Sequence, residues 1–184
     1  MKIAITVTLF LAFLLPWSAA RAEVDMVGAV VTLADKACTD GRYDAAVQTY
    51  ETLLKGLDPK SPWTPYVRYR LGSIQLIKGK TAEALPNVEP LARLYPDNAF
   101  VAYDYARALF YNKKYKEAIP VFEKAASRHK EFASQCGYYI GACRIALGDV
   151  EEGKKDLRKV AQTAPGSAEA KNAEKLLADV EKLL

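Results

Sequence analysis

The chain has one histidine, His129, and three cysteines, Cys38, Cys136 and Cys143. Acid–base or nucleophilic chemistry at neutral pH would most readily be built around such side chains. A hydrolytic centre needs a nucleophile, a base bonded to it and a group that orients the base. His129 stands beside Arg128 and Lys130, and no second base completes a Ser/His/Asp set. A metal centre drawn from His129, Cys136 and Cys143 would lack the closely spaced ligand pairs of a zinc site. The sequence carries no CxxC, no CxxCH and no phosphate-cradling glycine loop. Glu151–Glu152 and Lys154–Lys155 read as a solvated helix face. The expectation is a protein with no catalytic residue, no metal and no cofactor.

What remains chemically distinctive is aromatic. The stretch AYDYARALFYNKKYKEA, residues 102–118, concentrates Tyr103, Tyr105, Phe110, Tyr111 and Tyr115. Rings at this density either fill a core or line a surface that grips a partner. A phenol suits the second role, because it offers apolar area together with one hydrogen-bonding group. Which rings do which depends on the elements that carry them.

The first residues have a targeting pattern. Lys2 precedes an uncharged apolar run from Ile3 to Trp17, and Ser18-Ala19-Ala20-Arg21-Ala22 supplies a small-x-small cleavage site. Residues 1–22 are expected to be a cleaved signal peptide, with cleavage after Ala22 and Ala20 as the second site. The competing reading is an uncleaved inner-membrane anchor, although Ile3 to Ala20 is barely long enough to span. The expected location is exported, periplasmic or secreted. Removal of Lys2 and Arg21 leaves 24 basic against 22 acidic residues and lowers the net charge from +4 to +2. That balance gives no reason to expect nucleic acid, which calls for a concentrated basic face.

Three cysteines in an exported chain cannot all pair internally. Cys136 and Cys143 are seven residues apart on one expected helix, about 10 Å along its axis and too far for a bridge. Buried free thiols are expected, with an intermolecular bond through Cys38 as the alternative.

A repeat runs through the remainder, residues 23–184. Gly41-Arg42-Tyr43, Gly79-Lys80-Thr81, Lys113-Lys114-Tyr115 and Gly148-Asp149-Val150 each open a similar phrase. A small residue follows, at Ala46, Ala84, Ala118 and Gly153, and four residues later a large apolar one, at Tyr50, Val88, Phe122 and Leu157. The small residues are separated by 38, 34 and 35 positions, a period of about 34 with an insertion in the proline-rich link at residues 59–65. Before each turn another small residue recurs, at Ala34, Gly72, Ala106 and Gly141, where two helix axes can approach. Leu33, Leu71, Tyr105 and Ile140, the bulky neighbours of those small residues, are expected to fill the space around the approach, together with Tyr115 of the following helix. Pro86, Pro90 and Pro120 fall inside expected helices, and Pro90 is expected to bend its helix without ending it.

These phrases resemble the tetratricopeptide repeat family over nearly all of residues 23–184, at about 27–60, 65–98, 99–132 and 134–167. The resemblance implies an all-α, right-handed superhelical solenoid of about four helix-turn-helix repeats. Residues 168–184 look like the amphipathic capping helix of such arrays. It further implies a concave groove for a peptide or partner helix, lined by Tyr66, Tyr69, Arg70, Phe100, Tyr103, Arg107, Phe110, Tyr111 and Tyr138. Tyr69, Tyr103 and Tyr138 share one repeat position, and the two arginines lead to an expected preference for aromatic or acidic side chains. Val31, Asp35 and Cys38 stand where some members carry a Lys/Asn clamp for a C-terminal carboxylate, so that specificity is not carried over.

The expected role is a non-catalytic interaction scaffold in a cell-envelope assembly, with membrane association only through a partner or an uncleaved N-terminus. The alternatives are a periplasmic chaperone for exported clients and a small-ligand-binding accessory subunit.

Overall fold

A computed structural model of the chain describes residues 26–183; the signal-peptide reading falls outside them. The described residues form nine α-helices and no strand. They are α1 (residues 26–39), α2 (Tyr43–Gly56), α3 (Trp63–Ile77), α4 (Thr81–Leu94), α5 (Ala99–Tyr111), α6 (Tyr115–Arg128), α7 (Ala133–Ala146), α8 (Val150–Thr163) and α9 (Ala168–Glu181). A 3₁₀ turn, Lys130–Phe132, leads into α7.

The turn within each helix pair is built the same way four times. The residue at its apex takes a left-handed backbone: Gly41 (φ 74°), Gly79 (72°), Lys113 (62°) and Gly148 (93°). The next N–H then reaches back to a carbonyl of the preceding helix: Arg42 to Ala37, Lys80 to Gln75, Lys114 to Leu109 and Asp149 to Arg144, at 2.8–2.9 Å. This is the bond that satisfies the free carbonyls of a helix end when the chain turns left-handed. Between pairs the chain uses side-chain caps at two places. Asn98 accepts from the N–H groups of Phe100 and Val101, and Ser167 accepts from that of Ala170.

Packing follows the small residues. Ala34, Ala46, Ala84, Ala106 and Ala118 are almost wholly buried, as are Tyr50, Val88, Phe122 and Leu157. A Cβ on Gly141 would lie 3.0 Å from the carbonyl oxygen of Gly153, and one on Gly153 would lie 2.7 Å from the carbonyl oxygen of Gly141. The axes of α7 and α8 therefore meet backbone to backbone. Leu33 is a correction: it is 65% exposed rather than filling space beside Ala34. Tyr105 and Tyr115, expected in the core, are only half-buried at its edge.

α4 runs unbroken through Pro86 and Pro90, and α6 through Pro120. All three prolines are exposed. There the carbonyl freed by each missing N–H can be solvated.

The described residues divide into two compact units, one ending at Leu71 and the other beginning at Gly72, with the boundary inside α3. In the first, Val31, Ala34, Val47, Tyr50, Val67 and Leu71 form the buried apolar set. In the second, the largest cluster joins α5, α6 and α7 through Ala106, Leu109, Ala118, Phe122, Cys136 and Cys143. Leu157, Val160 and Ala173 bring α8 and α9 together.

Candidate functional site

In the first unit two of the expected groove residues, Tyr66 and Arg70, converge on one carboxylate. Asp35 of α1 accepts hydrogen bonds from the Tyr50 hydroxyl of α2 and from the Tyr66 hydroxyl and Arg70 Nε of α3, each at 2.6 Å. Burial alone would raise the Asp35 carboxyl, but the two hydroxyls and the Arg70 charge outweigh it and hold the group below the usual carboxylate value. Burial and the bond to Asp35 push the Tyr66 phenol up to about 12. Trp63 and Tyr66 meet edge to face at 6.2 Å. Tyr69, also on α3, is partly buried. Arg70 is thus part of an internal clamp joining three helices, and its charge is compensated.

In the second unit α5 carries its rings toward α6 and α7. Tyr103 stacks on Phe132 with centroids 4.8 Å apart and planes 10° apart, and it meets Phe122 and Tyr139 edge-on at 6.2 and 6.4 Å. Burial raises its phenol to about 12. Phe110 meets Tyr139 at 5.0 Å and Tyr115 at 5.6 Å. Tyr138 touches the ring of Tyr139 at 5.3 Å. The Arg107 guanidinium lies 5.5 Å from the Tyr103 ring centroid. It also pairs with Asp104 at 3.1 Å, and Asp104 accepts a further bond from Ser73. Two rings of this set open outward. Phe100 is 50% exposed at the start of α5, against His129 and Phe132, and Tyr111 is 44% exposed at its end, hydrogen-bonded to the Tyr139 hydroxyl at 3.0 Å.

The structure therefore brings Phe100, Tyr103, Phe110, Tyr111, Arg107 and Tyr138 into one aromatic assembly, and brings Tyr66 and Arg70 onto Asp35. It alters two expectations. Tyr103 is a half-buried joint between helices, because Phe132 and Tyr139 close over it. The preference for acidic partners loses its basis, because Asp35 and Asp104 already compensate both arginines. Sequence reasoning missed Tyr139, Phe132 and Asp104. Tyr139 follows Tyr138 directly, so the doubled tyrosine was the available signal. His129, at the C-terminal end of α6, has a partly exposed side chain that meets the rings of Phe100 and Phe132, and its Nδ1 lies 3.4 Å from a Glu131 carboxylate oxygen.

All three cysteines are unpaired, and burial pushes the Cys136 and Cys143 thiols up to about 12. Among the described residues no His/Cys/Asp/Glu group could hold a metal ion. No helix among them is long and apolar enough to cross a membrane.

Residues 69–134 and 135–167 match the tetratricopeptide repeat family, together more than half of the chain. No curated protein sequence matches the chain. Among solved structures, MamA from Desulfovibrio magneticus RS-1 is similar at 21% identity and a TM-score of 0.63, over 75% of this chain and 76% of that one. The tetratricopeptide-repeat protein TTC0263 of Thermus thermophilus is similar at 21% identity and a TM-score of 0.59, over 82% of this chain and 78% of that one. YrrB, a repeat protein described as having an unusual peptide-binding site, is similar at 17% identity and a TM-score of 0.66, over 77% of this chain and 71% of that one. At these identities the likeness is one of fold: an all-α helical solenoid of helix–turn–helix repeats.

Proposed function

We propose that this chain, which belongs to the tetratricopeptide-repeat family, is a non-catalytic scaffold whose α5–α7 aromatic face receives a protein partner in the cell envelope. Interaction with protein partners is the role the family suggests, and the site within this chain is our reading. One observation carries it. Phe100 and Tyr111 stand half-exposed at the two ends of α5, while the rings between them are locked against α6 and α7. A rigid aromatic face loses little freedom when a partner is laid on it. The peptide-binding site described for YrrB, a protein of similar fold, lends support by analogy.

The envelope setting is supported by the Lys2 start, the apolar run and the Ala20-Arg21-Ala22 site. N-terminal sequencing of the chain from fractionated cells tests it. A mature start at Glu23 in the exported fraction is expected, and an intact Met1 in the cytoplasm would overturn it. The binding face is tested by affinity isolation with the native chain and with Phe100→Ala/Tyr111→Ala. The double variant is expected to lose a stoichiometric partner while keeping its helical circular dichroism. Identical partners from both proteins would overturn the assignment of the face.

A further inference from the structure

We infer that the chain pairs with a second copy of itself through α1 and α2, in a two-fold contact in which α1 of each copy fills the α1–α2 groove of the other. This surface is separate from the α5–α7 face.

The repeat itself shows what that groove takes. Met26, Val27 and Val30 of α1 and Thr52 and Leu53 of α2, with Leu57 beyond it, line an open groove. The same repeat positions line a groove in the fourth repeat, through Ala133, Ser134, Gly137, Lys159 and Val160. There α6, the second helix of the preceding repeat, adds Glu123 and Ala126 as a further wall. Ile140 packs against the cluster that holds Ala118, Phe122 and Ala125 of α6. Tyr105, its counterpart in the third repeat, packs against the cluster that holds Ala84 and Val88 of α4. Leu33 is the counterpart in the first repeat. It is 65% exposed, and Met26 at the groove is 66% exposed. A surface shaped for a neighbouring helix is bare of one.

The chain's own N-terminus does not supply that helix. With cleavage after Ala22, the expected site, Glu23, Val24 and Asp25 precede α1. Three residues are less than one helical turn. The cover therefore comes from another chain.

A second copy fits. Met26, Ala29 and Leu33 are all exposed and recur at spacings of three and four, so they form an apolar ridge along α1. Ridge and groove carry no charge: Asp35, Lys36, Asp44, Glu51 and Lys55, the charged residues of α1 and α2, lie outside the lining. A two-fold axis sets ridge into groove twice, and the assembly closes with two copies. Head-to-tail stacking would instead set the groove on α9, where Lys171, Glu174, Lys175 and Asp179 are exposed. Burying those charges against an uncharged groove is costly.

Sedimentation equilibrium of the chain purified from the exported fraction tests the inference, with its first residue read by mass spectrometry. Two helices per copy make a small face, so a dimer with a dissociation constant of about 10 µM is expected. Leu33→Arg should weaken it at least tenfold with unchanged far-UV circular dichroism. Leu94→Arg, which alters a comparably exposed leucine of α4, should leave it intact. A chain still monomeric at fifty times that concentration, a mass that grows past the dimer, or equal responses to the two substitutions overturns the inference. If the purified chain keeps Met1, the signal reading falls, and the contact then stands only if that longer chain dimerises with the same dependence on Leu33.

Discussion

The ring of Tyr139 on α7 lies flat against that of Phe122 on α6, with centroids 5.0 Å apart and planes 1° apart. Phe122 is fully buried, and Tyr103 meets it edge-on from α5. Three consecutive helices are thus joined through one ring. Phe122→Ala should destabilise the chain by about 3–5 kcal/mol, in the range of fully buried aromatic truncations. Phe100→Ala, at the exposed end of the same assembly, should cost about 1 kcal/mol or less. Urea unfolding followed by circular dichroism measures both, and equal costs would contradict the division between joint and face.

The Asp35 clamp predicts a pH dependence. Its carboxyl titrates below its ordinary 3.8 in the folded chain. A depressed value means that the clamp's stabilisation is fully present above about 3.9, where the unfolded group is ionised, and is lost as pH falls through the folded value. Asp35→Asn lacks this charge at every pH. The melting temperatures of the native chain and the variant should differ most above about pH 5 and converge toward about pH 2. A gap of constant size would show that the clamp acts without its charge.

Two backbone positions should respond in opposite directions. A Cβ at Gly153 would sit 2.6 Å from Ile145 Cγ1 and 2.7 Å from a backbone carbonyl, so Gly153→Ala should destabilise by about 1–3 kcal/mol despite the better helix propensity of alanine. Lys113 holds φ at 62° where the other three repeat turns have glycine. Lys113→Gly should stabilise by about 1 kcal/mol by removing the left-handed penalty of a Cβ. Denaturant midpoints decide the sign in each case.

The thiols should separate by depth. Cys136 and Cys143 are fully buried, whereas Cys38 is partly exposed. A colorimetric thiol reagent at pH 8 should modify Cys38 alone in the folded chain and all three after denaturation. Fast reaction at Cys143 in the native protein would contradict the packing of α7.

The helix pairs were legible because their signals are local. A left-handed apex, a small residue where axes approach and a large one four positions on are each dictated by neighbours close in the chain, and Ala46, Ala84, Ala118 and Gly153 are all buried accordingly. The site was legible only as a list of rings. A helical projection tells which way Tyr103 points from α5, but its depth is decided by Phe132 and Tyr139, which arrive from another element. The same limit hid the clamp. Asp35 and Arg70 are 35 residues apart, and nothing in the spacing shows that they bond at 2.6 Å. Acidic selectivity therefore followed from counting arginines without their carboxylates.

Site-specific photocrosslinking in the native cell is the most direct test of the partner-binding face. A photoreactive phenylalanine analogue replaces Phe100 or Tyr111 on α5 and, as control, exposed Glu152 on α8. The account predicts the same discrete crosslinked protein from positions 100 and 111 and none from 152. Crosslinks from 152 alone, or none from either end of α5, would contradict it.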